Sequence, residues 1–317
     1  MTFPPEATLG EVGEFGLIDA LTPLFAGEDA QVLVGPGDDA AVLRVKTGHV
    51  VMSTDLMVEG RHFRRDWCSG EDVGHRAAAQ NLSDINAMGG RARWLTIGLA
   101  APAGLPASWA VDFARGFADE ARLVGATVVG GDLTAADEVV VSVTVLGTCT
   151  VAPVLRSGAE AGDVVALCGR QGWAAGGLTV LGRGFRSPRV LVEAYRRPEP
   201  PYDAGPAAAD AGATSMVDVS DGLVADAGHL ARASGVRFDL RTEALDVPEP
   251  LQAVAAALGA DPVTLVLGGG DDHALLATFP GGATLPPGWT VIGEVLAGEG
   301  VTVDGETYDG SPGFTHF

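Results

Sequence analysis

Lysine is almost missing from this chain: Lys46 stands alone among 20 basic residues in 317. Its surroundings, Arg44-Val45-Lys46-Thr47, are not a G-x-x-x-x-G-K-[ST] loop, which excludes a P-loop NTPase. A Schiff-base mechanism would have to use that one residue, and no H-R-D and D-F-G pair supports a protein kinase. Positive charge is scarce overall. With 41 acidic residues the formal net charge is −21, the wrong sign for neutralising phosphates, so no nucleic-acid partner is expected. Cysteine is equally sparse. Cys68, Cys149 and Cys168 are odd in number and far apart, which fits neither a disulfide framework nor a zinc site and reads as reduced, packed thiols of a cytoplasmic protein. The six histidines include no H-E-x-x-H, arguing against zinc hydrolysis. Long apolar runs are lacking too. The uncharged stretch 139–155 is rich in β-branched residues and holds Gly147 and Pro153, so it reads as strand and turn, not a membrane span. Glu6, Glu11 and Glu14, with no basic residue among the first twenty, argue against a secretory signal.

What is present is a globular composition, 47% hydrophobic and 19% charged, with length for one large or two medium domains. Strand-like runs fall at 31–34, 50–52, 94–99, 127–129, 139–146, 164–167, 215–217, 263–267, 274–279 and 290–295. Helical patterns cover 73–88, closed by Gly89, 108–124, closed by Gly125, and 221–234, closed by Gly235. The two kinds mix without strict β-α-β alternation, which predicts an α+β fold. A boundary near 148–153 divides the chain into 1–148 and 149–317, and the four prolines within 196–206 read as a surface connection inside the second half. No short repeat is visible.

The placement of aspartate is the informative pattern. Apolar runs lead into Gly35-Pro36-Gly37-Asp38-Asp39, Ser53-Thr54-Asp55, Gly130-Gly131-Asp132, Asp218-Val219-Ser220-Asp221-Gly222 and Gly268-Gly269-Gly270-Asp271-Asp272. A sixth station, Asn81-Leu82-Ser83-Asp84, lies within the first helix. Glycine and aspartate are ordinary turn formers, so each station alone has a structural explanation. Together they predict strand ends converging on one site, where carboxylates are tolerable only with hard cations, Mg²⁺ or Ca²⁺. Magnesium keeps waters and shares substrate phosphates, which points to a nucleoside triphosphate. Arg156 is a candidate phosphate contact, although turn arginines are often merely solvated. The glycines of 169–177 suit either phosphate binding or close helix packing.

These motifs, with Gly13-Glu14-Phe15, Leu17-Ile18, His62-Phe63, Ala87-Met88-Gly89, Arg156-Ser157-Gly158 and Gly313-Phe314-Thr315-His316-Phe317, resemble the thiamine-monophosphate kinase family, over nearly the whole chain and in the same order. The resemblance implies a fold of the aminoimidazole-ribotide synthetase superfamily: an N-terminal domain that pairs with its copy into a dimeric β-barrel, and a C-terminal α+β domain. ATP and several Mg²⁺ would lie between the domains of a homodimer, and thiamine phosphate would be converted to thiamine diphosphate. Carried over by position, Asp39, Ser53, Thr54, Asp55, Asp84, Asp132, Asp218 and Asp221 would be metal ligands. Gly131, Asp132, Arg156 and Ser220 would contact the nucleotide, while His62, Asp271 and Phe314 would hold thiamine phosphate. Asp84, Asp132 and Asp218 carry the catalytic expectation. The family usually has Glu-Asp where this chain has Asp271-Asp272, and Tyr or Trp where it has Phe314. Other synthetases of the superfamily share single motifs. The selenophosphate enzymes normally need an early reactive cysteine, whereas the first here is Cys68.

Overall fold

The computed structural model describes residues 3–4, 6–25, 29–34, 42–43, 45 and 48–314. Backbone contacts divide the chain into two compact units, Met1–Ile85 with Arg91–Thr150 and Asn86–Gly90 with Val151–Phe317. Both are mixed α and β, in agreement with the α+β expectation.

The first unit contains α1 (Leu9–Val12), α2 (Glu14–Phe25), β1 (Val32–Val34), β2 (Val42–Leu43), β3 (His49–Val58), α3 (Gly70–Ala87), β4 (Arg91–Ala101), α4 (Ala107–Leu123), β5 (Thr127–Ala135) and β6 (Val140–Cys149). Helix α3 starts at a reciprocal cap. The Ser69 backbone N–H donates to Asp72 Oδ2 at 3.0 Å, and the Asp72 N–H donates back to Ser69 Oγ at 3.2 Å. It crosses α4 closely at Gly74, where a Cβ would sit 2.0 Å from the Phe113 carbonyl oxygen. Four strands form a sheet in the order β3-β6-β4-β5, antiparallel except for the β4–β5 pair. Val141, Val143, Val145, Met57, Ile97 and Leu99 are buried on one face. The opposite face carries the Thr54–Thr144 pair, hydroxyl oxygens 2.8 Å apart, and exposed Val50, Met52 and Leu56. The sheet is open, and no closed barrel occurs among the described residues.

The second unit runs β7 (Val164–Cys168), α5 (Trp173–Gly182), α6 (Arg189–Arg196), α7 (Ala204–Asp210), β8 (Ser215–Asp218), α8 (Leu223–Ser234), β9 (Arg237–Leu240), a 3₁₀ turn (Thr242–Ala244), α9 (Glu249–Leu258), α10 (Pro262–Leu267), β10 (Leu275–Phe279), β11 (Trp289–Leu296), β12 (Gly300–Val303) and β13 (Glu306–Thr307). Its seven strands are ordered β13-β12-β9-β11-β7-β10-β8. The core beneath them includes Ala166, Met216, Leu275, Ala277 and an edge-to-face pair of Phe279 and Trp289, ring centroids 5.4 Å apart.

Several sequence expectations need correction. The run 263–267 is helix α10, not strand, because the Asp261 side chain accepts the Val263 N–H at 3.0 Å and Pro262 occupies the first turn. The strands expected to stop at Met52 and Val129 continue, since β3 stays paired with β6 and β5 with β4. Ser53-Thr54-Asp55 and Gly130-Gly131-Asp132 therefore lie inside strands, not at exits. The proline-rich stretch does connect α6 to α7, but it is not superficial: Pro198 and Pro200 are buried, and the Pro201 carbonyl accepts from Asn86 Nδ2 at 3.0 Å.

Candidate active site

In the first unit, strand alternation sorts the acidic residues. Asp55 is paired with Val143, and Ser53 with Val145, so both side chains sit on the helix-covered face. Gln80 Nε2 of α3 donates to Asp55 Oδ2 at 3.2 Å. Asp84 follows Gln80 by four residues, one turn along the same side of the helix, and is half-buried. The structure thus brings Asp55, Ser53 and Asp84 to one side of the sheet. Thr54 points to the other side, toward Thr144. Its hydroxyl does not join the Ser53 and Asp55 side chains.

Asp132 is placed differently from the expectation. In β5 it pairs with Gly98, and Gly98 pairs with Ser142, so the register puts Asp132 on the face of Thr54 and Thr144. A bulge at Val129 shifts the register just before Gly130. Gly131 is pressed against β4 so closely that a Cβ would stand 2.2 Å from the Ile97 carbonyl oxygen. His62 occupies the turn after β3, where its Nδ1 accepts the Val58 N–H at 3.0 Å; the proton of the neutral ring is then on Nε2. Asp39, with Asp38, lies outside the described residues.

The second unit assembles most of its expected residues around one loop. Strand β8 ends on buried Asp218, and Val219-Ser220-Asp221-Gly222 leads into α8. Asp226 organises this turn: its Oδ2 accepts the backbone N–H groups of Ser220, Asp221 and Gly222 at 3.1, 3.0 and 3.1 Å. The loop after α10 is laced to it, with the Asp271 N–H donating to the Ser220 carbonyl at 3.0 Å and the His273 N–H to the Val219 carbonyl at 3.3 Å. Asp271 and His273 adopt left-handed backbone, φ 66° and 55°, flanking buried Asp272. Phe314 arrives from the far end of the chain, its N–H donating to the Asp221 carbonyl at 3.0 Å while its ring is exposed. Arg156 is exposed, in a turn whose Gly158 and Ala159 N–H groups both donate to Ser234 Oγ at 3.2 Å.

The electrostatics of this loop are those of crowded carboxylates. Burial pushes Asp226 up to about 7, opposed by the N–H groups of Gly222 and Asp221 and reinforced by the charges of Asp218 and Asp221. His229 is lowered, first by burial and then by the charges of Arg156 and Arg232. Potential ligand atoms of Asp221, Asp226 and His229 lie within 4.8 Å of one another, and among the described residues no other trio of such groups does so. The two carboxylates of this trio are hard oxygen donors of the kind a divalent cation takes, and His229 adds a ring nitrogen beside them. Asp272 is also pushed up to about 7 by burial, against a 3.0 Å hydrogen bond from the Ala174 N–H.

Two residues escaped the sequence reading. Asp226 had a signal, an acid in the first turn of a helix that follows Asp-Gly. His273 had none beyond its place next to the Asp271-Asp272 station.

The chain is similar to known proteins along nearly its whole length. Residues 37–149 match the family described as AIR synthase related protein, N-terminal domain. Thiamine-monophosphate kinase of Mycobacterium tuberculosis is 48% identical over 98% of this chain and 93% of its own length. The enzyme of that name from Corynebacterium glutamicum is 37% identical, covering 98% of this chain and 95% of its own. Among solved structures, AaThiL complexed with AMPPCP and TMP superposes with a TM-score of 0.81 and 34% identity, covering 100% of both chains. With identity of this extent running through both units, the chain belongs to the thiamine-monophosphate kinase family.

Proposed function

We propose that this chain transfers the γ-phosphoryl group of ATP to thiamine phosphate, giving thiamine diphosphate and ADP. The observation that carries the reading is the end-to-end match to AaThiL complexed with AMPPCP and TMP. The loop geometry supports it, since Ser220, Asp221, Asp271 and Phe314 are tied to one another through backbone hydrogen bonds.

The residues fit Mg²⁺ as oxygen donors. Asp55, Asp84 and Ser53 would hold it in the first unit and Asp218 and Asp221 in the second, while Asp132 and Thr54, on the other face of the sheet, and Asp39 would serve a further cation. Bound magnesium supplies charge neutralisation between two anionic phosphates. The chain's own residues supply the rest. The accepting phosphate monoester has its second ionisation near pH ~6, so its oxygen is anionic at neutral pH and needs no general base. The burden falls on orientation and in-line approach. Asp84, Asp132 and Asp218 are the side chains whose loss should stop the chemistry. Gly131 would contact the nucleotide through its backbone. Arg156 and Ser220 contact the nucleotide, the former as a charge-assisted donor. Phe314 offers an exposed aromatic face to a cationic ring, worth about 1 kcal/mol, and Asp271 and His62 complete the thiamine phosphate site.

The enzyme would work as a homodimer, with the exposed face of β3 closing a barrel against a second copy, and in the cytoplasm, where buried free Cys68, Cys149 and Cys168 remain reduced. No helix among the described residues is long and apolar enough to cross a membrane. ADP release with thiamine phosphate as sole acceptor, with and without Mg²⁺, tests the function. Silence with thiamine phosphate, alongside turnover on formylglycinamidine ribotide, would reassign it to another synthetase of the superfamily.

A further inference from the structure

Asp218 ends β8 with its side chain enclosed, and its Oδ2 lies 3.0 Å from Nδ1 of His273, itself buried. A carboxylate turns easily about its last torsion, whose wells are broad and two-fold. Nothing in strand pairing fixes it, because β8 holds only the Asp218 backbone. The loop that carries the histidine, by contrast, is tied down at three successive residues. Its backbone N–H reaches the Val219 carbonyl, the Asp271 N–H reaches the Ser220 carbonyl, and the intervening Asp272 is anchored by the Ala174 N–H. The left-handed conformations of Asp271 and His273 are uncommon outside glycine and persist only when the surroundings over-determine them.

We infer that His273 is a positioning residue for the reaction: by donating from Nδ1 to Oδ2 it fixes the plane of the Asp218 carboxylate and leaves Oδ1 to engage a divalent cation. The Gly268–His273 loop then acts as a rigid backing for the Asp218–Gly222 turn, and the imidazole is the side chain through which that rigidity reaches a carboxylate oxygen. Replacing a group that orients a ligating side chain typically costs about 10–100-fold in metal affinity. The inference rests on the reading of Asp218 as a cation-holding carboxylate.

Two substitutions separate donation from packing. His273→Asn keeps a donor near the position of Nδ1 and tolerates left-handed backbone, whereas His273→Phe keeps the ring's bulk and loses the donor. The readouts are a Mn²⁺ binding isotherm on the full chain without nucleotide, the Mg²⁺ concentration for half-maximal rate, and KM for thiamine phosphate, with thermal melts confirming the fold. We expect His273→Asn to stay within about threefold of wild type for Mn²⁺, and His273→Phe to weaken it about tenfold or more. The Mg²⁺ requirement should rise in parallel while KM for thiamine phosphate changes less than about twofold. Wild-type Mn²⁺ affinity in His273→Phe, or a better affinity there than in His273→Asn, overturns the inference. If His273→Phe does not fold, His273→Leu takes its place under the same criteria. Asp218→Asn is the control: unchanged Mn²⁺ binding in that variant would remove the reading of Asp218 itself, a failure distinct from that of His273.

Discussion

The carboxylate of Asp226 reaches back over the first turn of α8 to the backbone nitrogen of Asp221, 3.0 Å away. The same oxygen serves Ser220 and Gly222, so one buried side chain closes the loop that presents Asp218 and Asp221. Leaving a buried donor unsatisfied costs roughly 1–3 kcal/mol. With three donors released and some relaxation, Asp226→Ala should lose about 3 kcal/mol in urea unfolding and at least ~100-fold in kcat/KM. Asp226→Asn retains an acceptor oxygen and should suffer less on both counts. Equal stability of Asp226→Ala and wild type would show that the loop holds itself.

The sorting of side chains across the first sheet makes a paired prediction. Asp84→Asn should reduce turnover at least ~100-fold without shifting the melt, because the exchange is isosteric and half-exposed. Thr54→Val removes a hydroxyl that faces Thr144, on the side away from Asp55, and should leave turnover within about threefold. Full activity in Asp84→Asn contradicts its metal assignment, and a collapse in Thr54→Val contradicts the division of faces.

Asp272 predicts a stability difference with a definite sign. Its carboxyl is raised from an ordinary 3.8 to about 7, chiefly by burial. Between these values the folded state holds a proton that the unfolded state has lost. The resulting stabilisation is complete below about pH 4 and disappears as pH rises through about 7. Asp272→Asn stays neutral throughout, and its Oδ1 still accepts from Ala174. The melting temperature of Asp272→Asn minus that of wild type should therefore grow from about pH 5 to about pH 8. A constant difference would mean that Asp272 does not titrate in this range.

Arg156 is solvent-exposed, so its truncation should leave the melt unchanged. As a direct phosphate contact it should matter for the nucleotide. Arg156→Ala is expected to raise KM for ATP about tenfold and KM for thiamine phosphate by less than twofold. The opposite split would move Arg156 to the other substrate.

Much of this was legible in the residues, for identifiable reasons. Helices α3, α4 and α8 announced themselves by periodicity and by the glycines that follow them, and Asp218 by the strand that ends on it. Asp55 and Asp132 were misread as strand-exit residues, because small residues that end strands elsewhere are tolerated where both neighbouring strands keep pairing. Gly131 shows the mechanism: it reads as a turn former, yet its role is to let β5 lie against the Ile97 carbonyl. Helix α10 hid behind β-branched residues whose propensity the Asp261 cap outweighs. The link from His273 to Asp218 joins residues 55 positions apart and leaves no local pattern.

The proposed dimer makes the last prediction. On β3, exposure alternates so that Val50, Met52 and Leu56 present 48%, 69% and 56% of their surface on the open face of the sheet. Alternation of this kind normally puts polar residues outward. Here the outward set is apolar, interrupted only by Thr54, and among the described residues β3 is an edge strand with one side unpaired. Burying each of these side chains would contribute about 1.5–3 kcal/mol, and a two-fold interface counts every residue twice. Met52→Glu with Leu56→Glu should accordingly convert a dimer of the 32.2 kDa chain to monomer in light scattering at micromolar concentration, with the monomer's helix content preserved. Two alanines at the same positions should only weaken it. A dimer that survives both glutamates would have to form through another surface, and the expected barrel would lose its support.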